Sequence, residues 1–375
     1  MNPRKTDLAI YVRTFFNCGV DKIILNLIQG FIEKGLKVDL VLNRASKSSM
    51  LKELPSEVEL IDLKADGFSK YLPKLIQYLR EKRPKTLLSA GHTSSEIAII
   101  AKRLAFVSTK VVVSEHSNLS FETQTGDPLG NRFKSRLIPL AVRLLYPFAN
   151  GIIAVSNGVG RDLAMTAKLP LESIETIYNP TITPQLLKAS QESLEHPWFA
   201  PGQPPVILGV GRLEPQKDFS SLIHAFAKVR KVQPAKLMIL GSGREEKKLN
   251  SLIQELGLEE DVAMPGFVNN PYSYMAKARV FVLSSIWEGL PTVLIEALAV
   301  GVPVVSTNCP SGPEEILDDG KYGELLSVGD NEAMAEAILK VLSGETKSVN
   351  SSWLEQFSLE TATKKYLDAL GFGDR

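Results

Sequence analysis

The chain has 375 residues, too many for one ordinary hydrophobic core and enough for two domains of usual size. Its 44% hydrophobic and 23% charged residues exclude a disordered or membrane-embedded protein, and two cysteines, Cys18 and Cys309, exclude a disulfide framework and suit a reducing, cytoplasmic setting. The net charge of +1 conceals an asymmetry: residues 1–195 carry 26 Lys and Arg against 19 Asp and Glu (+7), and residues 196–375 carry 17 against 23 (−6).

In chain order, short β-branched runs at 8–12, 38–42, 86–88, 111–113, 151–155 and 174–178 have the length of buried parallel strands. The run at 8–12 sits between Asp7 and Arg13 and reads as a first strand, not a leader. Helical spacing of Ile23, Ile24, Leu27, Ile28, Phe31 and Ile32 predicts a helix over 21–34 that stops at Gly35. The segment 196–205, rich in Pro and without periodicity, is the expected linker between an N-terminal domain of 1–195 and a second domain of 206–350. Beyond it, strands are expected at 206–210, 236–240, 261–264, 280–283 and 303–305, and 351–375 reads as a C-terminal helix returning to the first domain. Strands alternating with helices throughout predict two doubly wound α/β domains of Rossmann-like topology.

Three segments carry chemistry. Gly209-Val-Gly-Arg-Leu-Glu-Pro-Gln-Lys217 joins a strand to a helix, with Arg212 and Lys217 as two cations beside a turn whose glycines permit close backbone approach. That suits a diphosphate, although ordinary surface charge at a tight turn would read the same; Gly243, after the next strand, is a weaker element of the same kind. The segment from Ser284 to Pro303 places Glu288 at the carboxyl end of a strand, then a Gly289-Leu290-Pro291 turn. A helix starting near Thr292 follows, with Glu296 in an otherwise apolar face. Backbone amides at that helix start favour an anion or sugar oxygens, and the two carboxylates can accept hydrogen bonds from sugar hydroxyls. Both acids also have a plain structural reading, as a helix-start carboxylate and a solvated helix residue.

Taken together, Gly-Arg-Leu-x4-Lys, the Glu-x7-Glu of Glu288 and Glu296, and Thr307-Asn-Cys-Pro-Ser-Gly-Pro313 resemble the retaining GT-B glycosyltransferases of family four, also described as glycosyl transferases group 1. The segments Cys18-Gly-Val-Asp-Lys22, Val113-Ser-Glu-His116 and Tyr178-Asn-Pro180 fall at family positions, so the resemblance spans nearly the whole chain. It implies two Rossmann-like domains facing a cleft. Arg212 and Lys217 would neutralise the donor diphosphate, Glu296 hold the ribose, and Glu288 hold the hydroxyls of the transferred sugar. It further implies that His116 faces the reacting centre and that Gly19 lets its loop approach the donor or acceptor. Cys18 and Asp21 depart from the family's usual glycine and glutamate, which bears on the acceptor side together with His92. No Asp-x-Asp motif occurs, so no metal or other cofactor is expected, the nucleotide sugar being a substrate.

Between residues 131 and 148, Arg132, Lys134, Arg136 and Arg143 interleave with Leu137, Leu140, Leu144 and Phe148 without an acidic residue. Such a segment can lie peripherally on an anionic membrane, or simply cover the first sheet with its basic face solvated. The resulting expectation is a retaining, metal-independent hexosyltransferase that uses a nucleotide sugar, UDP-linked by family likeness. Its acceptor is expected to be a glycan or lipid-linked anionic glycan of a surface polysaccharide, at the inner face of the cytoplasmic membrane, with no nucleic acid partner. The alternatives are a nucleotide-sugar epimerase of the same fold and a non-catalytic nucleotide-sugar-binding protein.

Overall fold

The computed structural model describes residues 6–15, 18–45, 48–125 and 132–373. Asn131 and the side chains of Arg132, Phe133, Lys134 and Arg136 lie outside the described residues. Contacts gather the chain into two compact units, one of residues up to Pro180 with those from Phe357 onward, the other Thr181–Gln356.

The first unit is built on a parallel sheet of β1 (Leu8–Val12), β2 (Val38–Leu42), β3 (Glu59–Asp62), β4 (Thr86–Ala90), β5 (Lys110–Glu115), β6 (Gly151–Ala154) and β7 (Ile174–Thr176), in the order β3-β2-β1-β4-β5-β6-β7. The second has β8 (Val206–Val210), β9 (Lys236–Leu240), β10 (Val262–Gly266), β11 (Val280–Leu283), β12 (Val304–Thr307) and β13 (Glu324–Leu326), in the order β10-β9-β8-β11-β12-β13, again all parallel. Each sheet reverses its winding once, between β1 and β4 and between β8 and β11. Loops diverge there at the carboxyl ends of the strands, leaving a crevice in which doubly wound sheets bind ligands.

Two strands, β3 and β13, were not expected from the sequence. Both lie at a sheet edge and are only part-buried. A strand flanked on one side only needs no long apolar run, so Glu-Leu-Ile-Asp and Glu-Leu-Leu carry little hydrophobic signal. The expected linker 196–205 lies inside the second unit. Its aromatic residues explain this: His196 makes edge-on ring contacts with Trp198, Phe199 and Tyr274, and Lys236 Nζ stands 5.3 Å over the Trp198 ring. The preceding helix Pro184–Ser190 is held to the same unit by Asn270, whose Nδ2 donates to Ala189 O at 2.8 Å.

The C-terminal helix Leu359–Leu370 is N-capped by Ser358, which accepts from Thr361 N at 3.1 Å. It packs on the helix Gly19–Glu33, and Tyr366, Leu367, Leu370 and Phe372 join the core formed by Ile24, Leu27, Ile28 and Phe31. The two helices meet most closely at Gly30, where an added Cβ would stand 2.1 Å from Thr363 Oγ1. Gly30→Val is expected to cost about 1–3 kcal/mol by overpacking this seam. A urea midpoint equal to the parent's would show that the seam yields without strain.

Candidate functional site

In the second unit the crevice between β8 and β11 is shaped by glycines. The turn after β8 runs against the turn after β9: Gly211 N donates to Leu240 O and Leu213 N to Ser242 O, both at 2.9 Å. Gly241 has φ +137°, and a Cβ there would lie 1.9 Å from Gly211 O; one at Gly243 would lie 2.3 Å from Leu213 O. Neither position admits a side chain while the turns stay in register. Gly243 therefore serves here as the packing surface for the Arg212–Leu213 backbone. The Lys217 stem runs alongside Gly211, its nearest carbon 3.4 Å from where a Cβ would stand, an ordinary packing distance.

Lys217 ends a short 3-10 turn, Pro215–Lys217, and Asp218, at φ +44°, caps the next helix by accepting from Ser221 N at 3.3 Å and Ser221 Oγ at 2.6 Å. This break in the chain aims Lys217 across the crevice. Its Nζ lies 2.5 Å from Glu288 Oε1, which also accepts from Ser285 Oγ at 2.6 Å. The two loops are pinned further by Ser284 Oγ donating to Lys217 O at 2.7 Å, Gln216 Nε2 to Trp287 O at 2.8 Å and Ile286 N to Gln216 O at 2.8 Å. Glu288 is 7% exposed. The Lys217 ammonium and the Ser285 hydroxyl both bond this enclosed carboxylate; removing one partner of such a pair costs about 3–5 kcal/mol when burial is complete and less here, where Lys217 is partly open. Glu288 Oε2 accepts no hydrogen bond from a described residue, leaving one face of the carboxylate for a ligand hydroxyl.

The loop Gly289-Leu290-Pro291 is buried and abuts Gly312, whose φ is +99° and whose added Cβ would meet Pro291 Cδ at 2.4 Å. Pro291 precedes the helix Thr292–Ala299 and contributes no capping side chain to its positive end, while Leu294 N donates to Pro291 O at 3.0 Å. Glu296 stands one turn further on, half-buried. Arg212 is exposed on the same rim and forms no ion pair among the described residues. Lys217, Glu288, Glu296, Gly243 and the 289–292 turn, all singled out in the sequence, thus gather at one end of one sheet with Arg212 beside them.

One residue here, Phe267, was not singled out in the sequence. It follows Gly266 at the end of β10 and is 64% exposed, next to the backbone link from Gly241 N to Gly266 O at 2.9 Å. Cys309, buried near Glu288, has its thiol pushed up to about 12 by burial and then by the Glu288 charge, so it is an inert wall and not a nucleophile.

In the first unit, the expected residues sit at the carboxyl ends of β1, β4 and β5. Cys18 has an ordinary extended backbone, φ −112°, so replacing a glycine there creates no strain, and Gly19 begins the helix Gly19–Glu33. Asp21, buried in the first turn, accepts from Cys18 N at 3.1 Å and so serves as a helix cap. His92 opens the helix His92–Ala105 after Gly91 at φ +80°. His116 follows β5, and burial lowers its pKa to about 4, leaving a neutral imidazole; Nδ1 is enclosed without a hydrogen-bond partner and Nε2 is 3.2 Å from Ser114 Oγ. The strand end beneath it is fixed by buried Tyr146 donating to Glu115 Oε1; burial, and then the Glu115 charge, push the phenol well above its ordinary value.

Residues 190–352 match the family described as Glycosyl transferases group 1, and residues 18–183 match Glycosyltransferase Family 4. Over 212 residues the chain is 37% identical to the N-acetylgalactosamine-N,N'-diacetylbacillosaminyl-diphospho-undecaprenol 4-alpha-N-acetylgalactosaminyltransferase of Campylobacter jejuni, a match covering 56% of each chain, so it spans little more than half that relative's length. It is 31% identical over 242 residues to the lipopolysaccharide core biosynthesis glycosyltransferase LpsE of Rhizobium meliloti, covering 63% of this chain and 68% of that one. Among solved structures, Anabaena HepE in complex with UDP superposes with a TM-score of 0.77 at 20% identity, over 98% of this chain and 100% of that one. The apo lipopolysaccharide outer core galactosyltransferase WaaB gives 0.73 at 21%, over 98% and 99%. These likenesses show the fold, the GT-B pairing of two Rossmann-like domains.

The lowered pKa of His116 has a signed consequence. Between its ordinary value and about 4 the native state binds fewer protons than the unfolded chain, so its contribution to stability is whole above about pH 6.5 and drains away as pH falls toward 4. Histidine ring resonances followed by NMR should keep the His116 ring in its neutral position until the pH nears 4. Titration near 6.5 would contradict the burial.

Proposed function

This chain belongs to the group 1 glycosyl transferases, and from that premise we propose that it moves a hexose or N-acetylhexosamine from a UDP-linked donor to a glycan or lipid-linked glycan acceptor, with retention of anomeric configuration. The observation that carries this reading is the Lys217–Glu288 pair beside the helix start at Thr292, which no N-cap side chain covers. Glu288 uses one oxygen to orient the ammonium and keeps the other for hydroxyls of the transferred sugar. Lys217, Arg212 and the helix amides then meet the charge that grows on the departing diphosphate as the bond from C1 to the phosphate oxygen breaks. The acceptor oxygen bonds C1 from the same face and its proton passes to the leaving phosphate. His116, a neutral imidazole, hydrogen-bonds the donor sugar or the acceptor; Glu296 holds the ribose, and Phe267 stacks on the base. Cations and amides take the place of a divalent metal. HepE, solved with UDP and with UDP-glucose, supports the donor class, and the diphospho-undecaprenol in the Campylobacter relative's name supports a lipid-linked anionic acceptor. A bound donor with no acceptor to receive its sugar, as in an epimerase, is disfavoured by the glycosyltransferase names of the relatives.

Transfer assays over a panel of nucleotide sugars and lipid-linked acceptors should show turnover with a UDP-sugar, undiminished by EDTA, and an α-linked product from an α-linked donor by NMR. Glu288→Gln and Lys217→Ala should each lower turnover about 100-fold or more with the circular dichroism spectrum unchanged. Near-normal turnover in both variants would remove the site assignment.

We infer further that the enzyme works at the inner face of the cytoplasmic membrane, held there peripherally. No described helix is long and apolar enough to cross a bilayer. The helix Arg132–Leu145 buries Val142 yet turns Leu137, Leu140 and Leu144 outward, a stripe at helical spacing that runs on to exposed Phe148. Arg103 lies 4.0 Å over the Phe148 ring, and at the end of that neighbouring helix Leu104 and the 89% exposed Phe106 also face out. Phe106 holds φ +54°, a conformation costly for a bulky residue. Apolar side chains on two helices whose last turns carry Lys102, Arg103 and Arg143 match an anionic lipid surface. The chain should float with anionic liposomes at low salt and not with neutral ones, and Leu140→Ser with Phe106→Ser should abolish flotation. Flotation undiminished in that double variant would place any membrane contact elsewhere.

A further inference from the structure

The Lys217–Glu288 pair has a third member, Ser285, which is enclosed on all sides. It stands just past the end of β11 with no exposed surface, and its hydroxyl donates to Glu288 Oε1 at 2.6 Å. Among the described residues that hydroxyl makes no other hydrogen bond. The backbone of Ser285 is fixed from the far side, where the fully buried Thr307 of β12 donates through Oγ1 to Ser285 O at 2.6 Å. Its neighbour Ser284 bonds the other half of the pair, donating to Lys217 O at 2.7 Å. Adjacent serines thus hold the two charges, one by its main chain and the other by its carboxylate.

The two donors to Glu288 differ in kind. Lys217 reaches Oε1 at 2.5 Å on a flexible stem, partly open to solvent, and carries further N–H groups that can serve other acceptors. In the transfer reaction it also meets a diphosphate, whose negative charge competes with the carboxylate for the same ammonium. Ser285 has a single-carbon reach, a pinned main chain and one acceptor. A buried hydroxyl keeps its partner because the alternative is an unpaired donor away from water. When the lysine's attraction is shared with the phosphates, the serine's hydrogen bond is the one left unchanged.

We propose that Ser285 is a positioning residue for the transferred sugar: its hydrogen bond keeps the Glu288 carboxylate aimed at the sugar's hydroxyls while Lys217 turns to the donor diphosphate. The proposal rests on the reading of Glu288 as the group that meets those hydroxyls. It divides the pair's work, with Lys217 answering to the nucleotide end of the donor and Ser285, through Glu288, to the sugar end. UDP, which has no sugar for Glu288 to hold, is then indifferent to Ser285.

The test is a double-mutant cycle on the full-length chain. It is read by UDP affinity in calorimetry and by kcat/KM for whichever of UDP-glucose, UDP-galactose, UDP-N-acetylglucosamine and UDP-N-acetylgalactosamine the parent turns over fastest. Ser285→Ala should bind UDP as the parent does and lose about 10-fold or more in kcat/KM, the size expected for one hydrogen bond to a charged group. In a Glu288→Ala chain, where the hydroxyl has no carboxylate to hold, the same replacement should cost nothing further. An equal loss in both backgrounds, or a matching loss of UDP affinity, would make the serine a structural residue only and overturn the proposal, as would parental kcat/KM in Ser285→Ala. Parental kcat/KM in Glu288→Ala would instead remove the reading of Glu288, a failure that the single replacement of Ser285 cannot mimic. A parent that turns over none of these donors would remove the UDP-sugar reading and the proposal with it.

Discussion

The contact between Lys217 and Glu288 is the constraint around which the second unit's loops are arranged. A carboxylate this enclosed is tolerable only if its charge is met at close range, and the lysine reaches it because Asp218 breaks the chain direction just beyond. Gly241 and Gly243 in turn hold the lysine's loop against β9, and Gly312 holds the glutamate's loop from the other side. The glycines act as a scaffold for one ion pair. Their close packing means that a side chain at any of three positions would displace the charges without touching them.

The first unit solves a different problem. Its histidine stands where no charge compensates it, so it stays neutral, and the groups around it are hydroxyls: Ser114, Tyr366 and, on the neighbouring carboxylate, Tyr146. Around the residues singled out in the sequence, the second unit offers the Lys217–Glu288 ion pair, while His116 in the first is met by neutral hydroxyls. That division matches a reaction in which a dianionic leaving group must be held while a sugar or acceptor hydroxyl need only be aligned.

Much of this was legible in the sequence, for identifiable reasons. Buried parallel strands advertise themselves as continuous β-branched runs, which is why the central strands of both sheets could be placed, while β3 and β13, covered on one side only, could not. Glu288 and Lys217 stood out because a charged residue next to a strand end and a glycine turn is chemically conspicuous. Phe267 did not, since an aromatic residue after a glycine is usually core. The segment 196–205 reads as a linker because Pro excludes regular structure, yet its rings pack on Tyr274; loss of periodicity says nothing about whether irregular chain is anchored. The link from Tyr366 to His116 joins positions 250 residues apart, and no local pattern reports such a contact.

The return of the last helix to the first unit also orders events during synthesis. Tyr366, Leu367, Leu370 and Phe372 complete a core whose other members lie before Pro180, whereas the second unit is one continuous stretch. On the ribosome the second unit can therefore close while the first still exposes the apolar faces of its leading helix. The half of the protein made first is the half that finishes last, and until it does, Ile24, Leu27 and Phe31 present the sticky surface that chaperones exist to cover.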